Sequence, residues 1–184
     1  MELDIALRGR RSIRSYRDID IPESTVTELI DLARHAPSSM NGQPWLFIVI
    51  RDKVIKQQLA DLKDLYCPDN KKQYKATMIR NAPVVIIICV HRDQSHDRLL
   101  ENGVLAGAQL MLAAHAKGIG SVFMTAYQKE QPDLSRKIQT LLSLPQEVEP
   151  IVVLPLGFPD ERPAKKELKP LESIIYHDRY LKSI

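Results

Sequence analysis

Residues 84–90 read Val84-Val85-Ile86-Ile87-Ile88-Cys89-Val90. All but Cys89 are β-branched, which favours extended chain. No polar residue alternates with them, so the run reads as a strand buried on both faces. Such a strand needs a covering layer on each side. The flanking sequence supplies both. Downstream, Leu99 to Ala116 reads as a long helix rich in Gly and Ala: Gly103, Ala106, Gly107, Ala108, Ala113 and Ala114. It is apolar almost all round, as a buried helix is. Its small faces suit close packing, in the core or against a second copy. Gly118 to Met124 reads as a further strand, Asp133 to Leu142 as a helix and Pro150 to Leu156 as another buried strand. Upstream, Trp45 to Ile50 reads as a strand, and Val54 to Leu65 as a helix with Leu59 and Leu62 inward. Pro22 is well placed for a first helical turn, after which Val26, Leu29, Ile30 and Ala33 follow the 3.6 period. Glu2 to Arg8 forms a short helix ended by Gly9, and Ser12 to Asp20 is extended. Strands alternate with helices around one sheet, the pattern of a three-layer α/β or α+β domain.

The remaining stretches are polar. Residues 66–81 are basic and read as a mobile helix or lid. Residues 159–172 are rich in Pro and Lys, and Ile174 to Tyr180 is an apolar tail.

Length and composition exclude several classes. A chain of 184 residues buries roughly 70% of its unfolded surface without staples. Apolar residues make up 44% and charged residues 27%, an ordinary soluble balance. The longest apolar run, Ala82 to Val90, falls well short of the roughly 20 residues that span a bilayer. The acidic start Met1-Glu2-Leu3-Asp4 gives no secretory signal. Cys67 and Cys89 form no Cys-x-x-Cys pair, so reduced thiols and a cytoplasmic home are expected.

The net charge of +3 is unevenly placed. Residues 1–17 carry five Arg (Arg8, Arg10, Arg11, Arg14, Arg17) against Glu2 and Asp4, a balance of +3. The other residues carry 21 basic and 21 acidic side chains and balance to zero. The excess is all Arg, whose planar fork binds phosphate or carboxylate bidentately. Arg10 and Arg14 share a face if the segment is helical. Arg10, Ser12 and Arg14 share one if it is extended. Either geometry suits one anion, and a solvated basic patch or an internal salt-bridge cluster gives the same composition. Neutrality elsewhere argues against a nucleic-acid face.

A second cluster is Ala36-Pro37-Ser38-Ser39-Met40-Asn41-Gly42-Gln43-Pro44-Trp45. Its amides both donate and accept, which suits the mixed edge of a heterocycle or polyol. The prolines stiffen it, reducing the entropy lost on binding. An ordinary helix-to-strand loop is the plainer reading. Phosphate-loop and dinucleotide fingerprints are absent, since Gly118-Ile119-Gly120 lacks a third glycine. The five His show no metal spacing. There is no GxSxG elbow and no local Cys nucleophile motif. If the chain is an enzyme, a cofactor carries the reaction.

Taken together, Arg10-Arg11-Ser12-Ile13-Arg14-Ser15-Tyr16 and the 36–45 stretch resemble the nitroreductase family of FMN-dependent oxidoreductases. The similarity continues through Asn81-Ala82-Pro83, Gly118-Ile119-Gly120-Ser121-Val122 and Val153-Leu154-Pro155-Leu156-Gly157-Phe158-Pro159, then through Pro170-Leu171-Glu172. It covers nearly the whole chain and implies a single FMN-binding domain over 1–184. The resemblance implies an α+β fold with α/β/α layers and a central mixed sheet. It implies a C-terminal arm, 159–184, exchanged with the partner of a homodimer, and two FMN sites at the interface. By position, one subunit contributes Arg10, Arg11, Ser12 and Arg14, and the other Pro37, Ser38, Ser39, Asn41 and Gln43. Met124 and Thr125 would pass the flavin ring, with a backbone N–H of Thr125 or Ala126 near N5. Gly157, Lys165 and Lys166 would return to the phosphate. The implied activity is NADH- or NADPH-driven reduction of a small conjugated acceptor, a nitroaromatic or quinone, by ping-pong hydride transfer. A dehalogenating or flavin-destroying enzyme, and a flavin carrier without turnover, are alternatives on the same fold. A compact 62–80 cap implies an open pocket or a different acceptor.

Overall fold

The structure is a computed structural model that describes residues 1–67, 75–127 and 132–180. Helix α1 spans Leu3–Gly9 and α2 spans Glu23–Ala33. Strand β1 (Trp45–Ile50) leads to α3 (Lys53–Leu65) and the short α4 (Thr77–Asn81). Strand β2 (Val84–His91) precedes α5 (Leu99–Ala116). The two-residue strands β3 (Gly120–Ser121) and β4 (Met124–Thr125), helix α6 (Pro132–Leu141) and strand β5 (Val148–Gly157) complete the set. Of the 62–80 stretch read as a lid, residues 68–74 lie outside the described residues, as do 181–184 of the arm.

Strand β2 decides the layers as its sequence requires. Val85, Ile87 and Cys89 point into one core with Leu59 of α3, Ile79 of α4 and Leu134 and Ile138 of α6. Val84, Ile86, Ile88 and Val90 point into a second core with Val26 and Leu29 of α2 and Ala106, Leu110 and Ala114 of α5. Burial pushes the Cys89 thiol up to about 12, so it stays protonated. Glycine lets α5 approach closely: a Cβ at Gly103 would lie 2.7 Å from Ile151.

The strand order is β1-β2-β5-β3, with β4 also on β5. Expected to be mixed, the sheet pairs antiparallel at every named junction, and among the described residues its parallel element is the bridge Ser12–Ser121. The expected continuous strand 118–124 is split into β3 and β4. The reason is Pro155. The register pairs Ser121 with Leu156 and Met124 with Val153, which places Pro155 opposite Val122. Ala126 N–H donates to Ile151 O at 2.8 Å. Alternation from that pair puts Pro155 where it should donate to Val122, and proline has no N–H to give. Pro150 falls at the β-bulge where β5 shifts register against β2.

Candidate cofactor-binding site

Gly9 ends α1, and the following residues run extended. Ser12 bridges Ser121, Tyr16 bridges Pro159, and Ile13 N–H donates to Ser121 O at 3.0 Å. The extended reading of the arginine segment therefore holds, and Arg10, Ser12 and Arg14 lie on one side of it. Ile13 and Tyr16 anchor the segment. A Cβ at Gly120 would lie 2.7 Å from Ile13, and one at Gly157 would lie 2.7 Å from the Tyr16 ring. Gly157 thus makes room for Tyr16. The Tyr16 hydroxyl donates to Ile13 O at 2.7 Å and Pro155 O at 3.2 Å. Burial above all, then the Glu161 charge, raises its pKa.

The guanidinium groups divide in use. Arg11 donates to Arg8 O and Arg10 O, both at 2.9 Å, capping the end of α1. It lines a recess with Ile13, His115 and Arg162. Arg10 and Arg14 make no side-chain hydrogen bond or ion pair among the described residues. Three alternate positions of this one segment, Arg10, Ser12 and Arg14, thus offer two uncommitted guanidinium groups and a hydroxyl along one edge. Lys165 and Lys166 are exposed on the arm and make no hydrogen bond or ion pair with that edge among the described residues.

The 37–43 loop sits at the other end of α5. Met40, Asn41 and Gln43 all hold positive φ (50°, 56° and 45°), sparsely populated for such side chains and typical of binding loops. The Gln43 N–H donates to Ser38 Oγ at 3.1 Å, and Gln43 Nε2 to Asn41 Oδ1 at 3.2 Å. Asn102 holds the loop: its Oδ1 accepts the Ser39 N–H at 3.0 Å, and its backbone carbonyl accepts Trp45 Nε1 at 2.8 Å. Pro37 is exposed and Ser38 half-buried. The arginine segment instead meets the last turn of α5, where a Cβ on Gly9 would lie 2.9 Å from His115. Asn102 and His115 are thirteen positions apart, about 20 Å along a helix. One chain keeps the two motifs apart.

At β4, the Ala126 N–H is spent on Ile151 O. Alternation turns the Thr125 N–H away from β5, toward the open edge of the sheet. The Thr125 carbonyl accepts Lys63 Nζ at 2.5 Å, and its hydroxyl donates to Tyr127 O at 2.6 Å. Met124 is half-buried beside it.

Sequence reasoning missed Lys63, Asn102 and Glu161. Asn102 had a visible signal, being one of two amides, with Gln109, in a helix otherwise rich in apolar residues. Glu161 and Lys63 act on backbone atoms far away in sequence, which no local pattern shows. Among the described residues no cluster of His, Cys, Asp and Glu could hold a metal ion. No helix there is long and apolar enough to cross a membrane.

The family match and the relatives define the class, that of NAD(P)H-dependent flavin oxidoreductases. Residues 7–158 match the model of the nitroreductase family, and the chain belongs to that family. A Methanothermobacter thermautotrophicus protein provisionally named an NADH dehydrogenase/NAD(P)H nitroreductase is 32% identical over 172 residues, covering 91% of this chain and 83% of its own. The FMN reductase [NAD(P)H] of Bacillus subtilis is 30% identical over 196 residues, covering 96% of this chain and 73% of its own. A Parabacteroides distasonis structure with the same provisional name as the first relative superposes with a TM-score of 0.85 at 25% identity, covering 97% of this chain and 98% of that one.

Proposed function

We propose that two copies of this chain bind FMN between them and use NADH or NADPH to reduce a small conjugated acceptor such as a nitroaromatic or quinone. The observation that carries this is the separation of the two motifs along α5. Each is prepared for a ligand, yet about 20 Å of helix keeps them apart in one chain. Two subunits with their α5 helices antiparallel would bring the arginine edge of one to the loop of the other.

The surface supports a partner. Leu168, Leu171, Ile174, Ile175, Tyr176 and Tyr180 of the arm are all exposed, as are Leu3, Ile5 and Leu7 of α1. Many large apolar side chains exposed on one arm and one short helix are what a partner surface would cover. The chain then forms one FMN-binding domain with an arm from residue 159, exchanged with the partner.

The donor set fits FMN. With seven glycines in the chain and no glycine cradle, the phosphate must be held by side chains, and Arg10, Ser12 and Arg14 supply two cations and a hydroxyl. Lys165 and Lys166 would approach through the arm. Pro37, Ser38, Ser39, Asn41 and Gln43 of the partner would meet the flavin's polar edge. The Thr125 N–H is the donor left to face N5. When bound, FMN supplies the redox chemistry by carrying hydride from NAD(P)H to the acceptor in ping-pong fashion. Arg14 would stabilise negative charge that develops at the flavin edge. We place the protein in the cytoplasm, with free thiols at Cys67 and Cys89. FMN titration followed by anaerobic NADH or NADPH addition tests the reading. Bound yellow flavin should bleach, then recover on adding a quinone. Protein that takes up no FMN contradicts it.

A further inference from the structure

The backbone of the arginine segment is held on both sides by main-chain bonds. Ile13 N–H goes to Ser121 O at 3.0 Å, Arg17 N–H to Phe158 O at 2.9 Å, and Asp160 N–H to Ser15 O at 3.0 Å. Those bonds leave the N–H groups of Arg14 and Ser15 without a backbone acceptor. One side-chain oxygen takes both. Glu161 Oε1 accepts from Arg14 N–H and, at 3.1 Å, from Ser15 N–H. Glu161 belongs to the root of the arm, four residues past the end of β5.

We propose that Glu161 is a positioning residue: its carboxylate fixes the backbone at Arg14 and Ser15, so that Arg10, Ser12 and Arg14 keep one common edge. This rests on the reading that the edge binds FMN. The segment is exposed at Arg14 and Ser15, where unclaimed amides would bond to water and the chain could twist. A twist of one residue would turn Arg14 to the side that Arg11 and Ile13 occupy. Bonds to an ionised acceptor are the stronger kind, which suits a clamp on an exposed strand. The clamp also ties the cofactor segment to the arm, so arm docking and cofactor binding become coupled.

A competing physical reading exists. Two neighbouring amides that meet one oxygen could take an anion of the cofactor in its place, and a carboxylate seated there would then compete with the cofactor rather than serve it. The two readings predict opposite signs.

The test compares wild type, Glu161→Ala and Glu161→Gln as full chains, by FMN titration and by hydrogen exchange at the Arg14 and Ser15 amides without flavin. The Gln side chain keeps the acceptor and removes the charge. Glu161→Ala should weaken FMN binding about tenfold or more, since bonds to a charged acceptor are lost. It should also speed exchange at both amides. Glu161→Gln should stay within about threefold of wild type and retain slow exchange. Unchanged or tighter FMN binding in Glu161→Ala would overturn the clamp, as would a Gln variant as weak as Ala. Should the Ala variant fail to fold, unprotected Arg14 and Ser15 amides in wild type would overturn it alone. A wild type that binds no FMN, yet protects both amides, would defeat the cofactor reading and leave the clamp standing.

Discussion

The Asn102 carboxamide, buried near the start of α5, accepts the Ser39 N–H at 3.0 Å and donates to Ser95 O at 3.0 Å. One side chain thus joins the 37–43 loop, the turn after β2 and the helix. Gly42 packs on that same turn, where a Cβ would lie 2.3 Å from Gln94 O.

Replacing Asn102 with Ala strands a buried donor and a buried acceptor. Stability should fall by about 1–3 kcal/mol, measured by urea denaturation. FMN affinity should fall as well, because the loop loses its anchor. Asn102→Asp keeps the acceptor for Ser39 but buries a carboxylate with no cation beside it and turns an oxygen toward Ser95 O, so it should be no more stable than Asn102→Ala.

A second prediction concerns Glu149, which is 1% exposed. Arg92 pairs with its Oε2, and its Oε1 has no partner among the described residues. Arg92→Ala leaves an uncompensated buried carboxylate and should cost about 2–4 kcal/mol, the guanidinium being half in water already. Adding Glu149→Gln to that variant should restore part of the loss. A double variant no better than the single would refute the charge argument.

A third follows from His115. Burial first, then the charges of Arg10 and Arg11, hold its pKa below the ordinary 6.5. The unfolded chain therefore takes up this proton more readily than the folded one. Its contribution to stability is complete above pH 6.5 and is lost as pH falls from there toward the lower folded value. His115→Gln should flatten the stability profile between pH 7 and 5, measured by denaturation at each pH. Parallel profiles for the two proteins would show that His115 plays no part.

Much of the fold could be read from residue patterns. The β-branched run at 84–90, the small-residue helix at 99–116 and the Pro22 start each dictate their element through local geometry. The split of β3 from β4 could not be read, because it depends on Pro155 falling opposite Val122. That is a matter of register, not composition. The site divides in the same way. Arg10, Ser12 and Arg14 were visible as an uneven charge, and the loop as a dense run of amides and hydroxyls. Which N–H of the Thr125–Ala126 pair stays available needed the sheet, since only pairing shows that Ile151 takes the Ala126 N–H. Arg11 matches its neighbours in sequence but is turned by the extended backbone to cap α1.

The central claim is that each FMN site takes its arginine edge from one subunit and its loop from the other. A mixed dimer tests it most directly. One subunit carries Arg10→Glu and Arg14→Glu, and the other carries Ser38→Asp and Ser39→Asp, with distinct affinity tags used to isolate the pair. Shared sites predict that each homodimer binds no FMN, while the mixed dimer regains one intact site, counted by flavin absorbance. A mixed dimer that binds no flavin, from variants that still fold and pair, would contradict a site built across two chains.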